Sequence, residues 1–165
     1  MSEPQQTLTI QKALDLAVEH HKAGRLSQAE SIYQQILRSD PNQPIALHLL
    51  GVIAHQASKN DTAVDLIARA LALNPDLAEA HSNLGLALQD LGKSEDAIAS
   101  YRKALAIKPD YAEALNNLGE THLQAGQHKE GLQCLQKASG MIHFSNREQT
   151  RHFTILGGTL GVGNL

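Results

Sequence analysis

Histidine and cysteine are the side chains here most able to hold a metal or move a proton, and the chain has nine histidines and one cysteine in 165 residues. His48 and His55 stand seven apart, which puts both on one face of a helix. His21 precedes His55 by 34 residues, a spacing that recurs throughout the chain. Three imidazoles on one surface begin a divalent-metal site, but no carboxylate or cysteine at ligand spacing completes it. Histidines on a polar helix face are the preferred reading, so no metal is expected. His128 lies six residues before Cys134, which is not a nucleophile–base spacing on a helix. No serine elbow and no paired-acid motif is present. The glycine-rich end GGTLGVGNL, residues 157–165, is expected to follow no strand and open no helix, which sets it apart from a phosphate-cradling loop. A flexible end, or the start of a further domain, accounts for it better. No catalytic residue and no cofactor is expected.

The elements that carry these side chains are read from the 34-residue spacing. Leu16, Leu50, Leu84 and Leu118 obey it, as do Gly51, Gly85 and Gly119. So do Ala29, Ala63 and Ala97; Tyr33, Ile67 and Tyr101; and Pro41, Pro75 and Pro109. Within 78–109, Leu84, Leu88 and Leu91 recur at helical spacing, and Gly92 suits a left-handed end to that helix. Ser94 is expected to cap a second helix, with Glu95 and Asp96 in its first turn. Ala97, Tyr101, Ala104 and Leu105 form its inner stripe, and Pro109 ends it. Gly85 and Ala97 are small because the two helices cross closely there.

A period of 34 with small, aromatic and proline residues at fixed phases resembles the tetratricopeptide repeat. The resemblance implies an all-α fold, an α-solenoid in which antiparallel helix pairs wind into a right-handed superhelix. About four repeats are expected, plus a C-terminal cap or tail. Residues 1–9 read as a leader and 10–143 as the array, divided 10–43, 44–77, 78–111 and 112–143. Residues 144–165 read as a capping segment and glycine-rich tail.

The copies differ in informative ways. In copy one, Ala13, Leu16, Ala17 and His20 line the first helix, and His20 takes the phase of Leu88 as a partly buried histidine at the helix seam. Copy two has Ser58 in place of the turn glycine, and Asn60 is expected to cap its second helix. Copy four decays: Gly131 replaces alanine, Gly140 falls in the last turn, and His143 replaces proline. For 141–156 two readings stand. Ser145 with Glu148 makes a capping box for a short helix through Leu156, the reading favoured slightly, since a solenoid end needs a cover. Ile142/Phe144 and Phe153/Ile155 alternate instead as two strands.

Composition narrows the partners. A net charge of −3 and a pI near 6.3 leave no clustered basic face, so nucleic acid is not expected. No run approaches the ~18 apolar residues of a membrane span. No signal-peptide pattern is present, and a single cysteine fits a reducing compartment, so the expected location is cytoplasmic. A protein or peptide is the expected ligand, and the terminal repeats are where a homo-oligomer would form.

In tetratricopeptide proteins the first helices line a concave groove. The resemblance therefore implies groove positions at Leu14, Val18, His21, Ile45, His48, Val52 and His55, then at Glu79, Ser82, Leu86 and Gln89, then at Glu113, Asn116, Glu120 and Gln124. The lysines and asparagines of the chaperone-binding carboxylate clamp are absent. The repeats are closer to those of O-linked N-acetylglucosamine transferases and bacterial relatives, where an asparagine before Leu-Gly forms a peptide-holding ladder. Asn83 and Asn117 match it, while Asp15 and Leu49 do not, and a solvated asparagine on a helix is the equal alternative. Two functions stand: a protein-binding scaffold, and a substrate-recruiting arm of a larger glycosyltransferase- or sulfotransferase-type enzyme.

Overall fold

A computed structural model of the chain describes residues 3–140, together with 153–155 and 158–160. The described helices run in sequence as α1 (Glu3–Lys22), α2 (Leu26–Ser39), α3 (Pro44–Gln56), α4 (Asn60–Leu73), α5 (Ala78–Asp90), α6 (Ser94–Ile107), α7 (Ala112–Gln124) and α8 (His128–Ala138). They pack as pairs, α1 on α2 through α7 on α8, and each pair packs on the next. Helix α1 begins at Glu3, so most of the expected leader is helical. Pro4 is tolerated in a first turn, and nothing between it and Ile10 breaks the pattern.

Each helix pair turns in the same way. In copy three Gly92 adopts φ +73°; its amide bonds to the Gln89 carbonyl at 2.9 Å and the Lys93 amide to the Leu88 carbonyl at 2.9 Å. This is a Schellman closure, which satisfies two otherwise orphaned carbonyls. Gly24 and Gly126 close copies one and four with the same bonds. Copy two makes them with Ser58, whose φ of 59° is the left-handed conformation that an L side chain disfavours. The following residue, Arg25, Lys59, Lys93 or Gln127, is then already the N-cap of the second helix. Ser94 and Asn60 therefore fall one residue inside their helices and do not cap them, contrary to expectation. The turn is too short to leave the cap position to them.

The crossing of the two helices rests on the phase of Gly85. A Cβ there would stand 2.5 Å from Cε1 of Tyr101, which is fully buried. At Gly51 it would meet Ile67 Cγ1 at 2.6 Å, and at Gly119 Leu135 Cγ at 2.8 Å. The glycine thus makes room for the large side chain across from it as well as for the opposing alanine. Copy four is more regular than its sequence suggested. A Cβ on Gly131 would come within 2.8 Å of the Gly119 carbonyl oxygen, so this glycine permits a closer crossing and is no sign of decay. Gly140, at φ 62°, ends α8 after Ser139.

At 153–155 the tail takes the strand of the second reading and not the slightly favoured helix. Phe153–Ile155 and Gly158–Leu160 form an antiparallel pair of strands, with Phe153 opposite Leu160 and Ile155 opposite Gly158. A capping helix through Leu156 is excluded at 153–155, where the β-branched Thr154 and Ile155 favour a strand. The strand described opposite it is in the glycine-rich end, which was expected to hold none; Ile142/Phe144 lies outside the described residues. The capping box at Ser145 and the replaced proline at His143 lie outside the described residues. Among the described residues no helix is long and apolar enough to cross a membrane.

Two substitutions separate the turn from the crossing. Ser58→Gly removes a left-handed strain that its three counterparts avoid, and should stabilise the fold by about 0.5–1 kcal/mol. Gly85→Ala pushes a methyl into the Tyr101 ring and should destabilise it by about 1–3 kcal/mol. Urea unfolding of both variants beside the parent checks the two signs.

Candidate binding face

The first helices α3, α5 and α7 form one continuous surface. Helix α3 touches α5 and α5 touches α7 directly, a mutual approach that the second helices do not match, so the first helices line the inner side of the bend. Side chains bridge them at a constant offset. Asn83 Nδ2 donates to His48 Nε2 at 2.9 Å, His55 Nε2 bonds Asp90 Oδ2 at 2.8 Å, and Gln89 Nε2 donates to Gln124 Oε1 at 3.2 Å. Each pair is 35 residues apart, because one residue beyond the repeat points back at the preceding helix. The His55–Asp90 pair is partly exposed and contributes little to stability.

The expected groove residues divide into enclosed and open ones. Leu14, His48 and Ser82 share a phase and are all buried, since the following first helix covers them; Ser82 is 0 % exposed. His48 is therefore a structural residue of the seam rather than part of an open surface. Val18, Val52 and Leu86 are half-buried, with Leu86 packed against the core around Tyr101. His55, Asn83 and Asn117 are half-buried, whereas Asn116 and Glu120 are exposed. Among the described residues, no hydrogen bond ties the side chains of Asn116, Asn117 or Glu120.

Gln89 does more than its phase implied. The Tyr101 hydroxyl donates to its Oε1 at 3.0 Å, and Thr121 Oγ1 lies 3.0 Å from the same oxygen while sharing its one proton with the Asn117 carbonyl at 2.7 Å, so one glutamine links three helices. The signal for it is the buried Tyr101 hydroxyl, which needs an acceptor. Tyr33, at the same phase in copy one, meets the edge of the His21 ring at 6.3 Å, and its hydroxyl has no partner. His81 is another departure: it is buried where Leu47 and Leu115 stand in neighbouring copies. Its Nε2 donates to the Pro75 carbonyl at 2.9 Å, while Nδ1 is left unpaired.

Burial sets the protonation of His48. Loss of solvent pulls its pKa down from 6.5 to about 4, with Glu79 opposing slightly and His21 assisting. The ring is then neutral at pH 7 and accepts at Nε2, with its proton on Nδ1. His81 is lowered in the same direction, chiefly by burial. No group of three His, Cys, Asp or Glu side chains among the described residues is placed to hold a metal ion. Cys134 is half-buried and burial raises its pKa, which keeps the thiol protonated.

Known proteins supply the frame for this geometry. Tetratricopeptide-repeat profiles match residues 14–81, 66–99 and 112–141, and a TPR-repeat profile matches 89–126. Among solved structures, a crystal structure of MamA superposes with a TM-score of 0.71 at 26 % identity, covering 78 % of this chain and 75 % of that one. A second MamA crystal structure gives 0.71 at 25 % identity, over 83 % and 75 %. MamA from Desulfovibrio magneticus RS-1 shares the fold, with a TM-score of 0.70 at 20 % identity over 78 % and 73 %. A comparison with curated protein sequences returns no match.

The histidine seam has a pH signature. A folded-state pKa near 4 against 6.5 unfolded means that the unfolded chain takes up the proton first as pH falls. The contribution of His48 is complete above pH 6.5 and is lost progressively down to about pH 4, by about 3 kcal/mol at most. His48→Gln should flatten most of that slope, as followed by urea unfolding at a series of pH values. An unchanged slope in the variant would place the titration elsewhere.

Proposed function

Because helices α1–α8 form a tetratricopeptide-repeat solenoid, we propose that the chain is a non-catalytic protein-interaction scaffold that takes an extended peptide along its α1–α3–α5–α7 face. The observation carrying this reading is the gradient on that face. Val18 and Val52 lie half-buried toward α1, while Asn116, Asn117 and Glu120 lie toward α7 with no internal partner. An amide at the Asn117 position can donate to and accept from a peptide backbone at once. Asn83 spends one N–H on His48, and its Oδ1 stays available to accept. Neighbouring first helices sit about 10 Å apart and an extended peptide rises about 3.3 Å per residue, so successive rungs meet backbone groups about three residues apart.

The ligand that fits is a segment with apolar residues toward α1 and a basic residue toward α7. Glu113 and Glu120 make the second half of the face acidic, which steers a cation there and selects its orientation, while Glu79 is already paired with Lys108 at 3.5 Å. A protonated, half-buried Cys134 suits a reducing cytoplasm, where we place the protein.

Peptides captured from a displayed random library provide the test. In titration calorimetry, Asn116→Ala with Asn117→Ala should weaken the captured peptide by about 1–3 kcal/mol and leave the thermal melt unchanged. Asn83 is spared because its loss strips His48 of a hydrogen bond and confuses binding with folding. Glu95→Ala, exposed on α6, is the control and should do nothing. Full affinity in the double variant, or loss in the control alone, would move the site to the second-helix side.

A further inference from the structure

Two large apolar side chains stand in solvent near opposite ends of the stack: Leu16 on α1, 48 % exposed, and Leu132 on α8, 54 % exposed. Their phases explain them. Leu16 has the phase of Leu50, Leu84 and Leu118, whereas Leu132 has that of Glu30, Val64 and Ile98. Within the array these two phases share a cluster or a cavity at the junctions between copies. Ile98 and Leu118 belong to one buried cluster, Val64 and Leu84 pack against that cluster, and Glu30 and Leu50 line one cavity between α2, α3 and α4. Among the described residues Leu132 and Leu16 are the exposed members of two phases that the chain brings together at its internal junctions.

A polar pairing points the same way. The Asn83–His48 bond joins one copy to the preceding one. Asn116 on α7 has the phase of His48 and is exposed; Asp15 on α1 has the phase of Asn83 and is exposed. Brought together by the same step, they set an amide donor against a carboxylate. By the 34-residue period the chain's next first helix would occupy 146–158, and Phe153–Ile155 within that range is a strand.

We propose that the protein self-associates head to tail, with α7 and α8 of one copy stacking on α1 of the next so that Leu132 seats against Leu16 of the neighbouring copy and the solenoid runs on through the joint. Such a contact uses two different surfaces and leaves one of each free, so it builds open chains and not a closed two-fold dimer. Its occupant is a second copy because the joint repeats the internal junction in both its apolar and its polar pairing. One residue keeps it weak. Glu19 is exposed at the phase where Ile53, Ala87 and Thr121 are buried, so the joint must desolvate a carboxylate or hold it at the rim.

Sedimentation of the full chain across concentrations up to about 1 mM tests this. The average mass of the parent should climb with concentration, and Glu19→Ile should bring the same rise at a concentration at least about tenfold lower. Leu16→Asp and Leu132→Asp should each stay monomeric with unchanged helicity, since both sites are already half in solvent. Mixed in equal amounts, the two aspartate variants should form a dimer and nothing larger, because each retains the end that the other lacks. Three outcomes overturn the proposal: a parent and a Glu19→Ile variant that both remain monomeric, a loss confined to Leu132→Asp, which indicates a symmetric contact, and a mixture that fails to dimerise.

Discussion

The contact between a glycine on each first helix and a bulky side chain on its partner sets how near the two helices stand, and the rest of the stack follows from it. Tyr101 against Gly85, Ile67 against Gly51 and Leu135 against Gly119 are one contact in three sizes. Helices held this close bury the alanines beside them, such as Ala63 and Ala97, at 0 % exposure. The pair then presents a rigid second surface to its neighbour. A domain with few aromatics can be stable on these terms, because interdigitated alanine and leucine replace bulk with proximity. In copy four two glycines meet, and the smaller Leu135 is matched by the tighter crossing that Gly131 allows.

Close stacking also decides which polar groups are structural. Once the first helices touch, a residue at the phase of His48 or Ser82 loses its water to the next copy. It must then find a partner or stay neutral. His48 does both, whereas among the described residues the Tyr33 hydroxyl has no hydrogen-bond partner. The Gln89 carboxamide serves Tyr101, Thr121 and Gln124 together, so the middle of the array is joined by hydrogen bonds as well as by packing. A face fixed in this way holds its open side chains, Asn116, Asn117 and Glu120, at set positions, which limits the ordering that binding must impose.

The helices, their pairing and the turn glycines were legible in the sequence because they depend on local spacing, which repeats. What was not legible depends on the neighbour. Ser94 and Asn60 look like caps in isolation, but the closure at Gly92 and Ser58 places the cap one residue earlier. Gly131 looks like a flaw until the Gly119 carbonyl is found against it. His48 looked like an open groove residue because its phase says which way it points and not what the next copy lays over it.

The account's central claim is that stability resides in junctions between copies, so the middle of the chain must outlast its ends. Native-state hydrogen exchange read helix by helix measures this directly. It should find the slowest amides in α3 to α6, where every helix has neighbours on both sides, and faster exchange in α1 and α8. Protection in α8 equal to that in α5, or one common rate across all the helices, would contradict it.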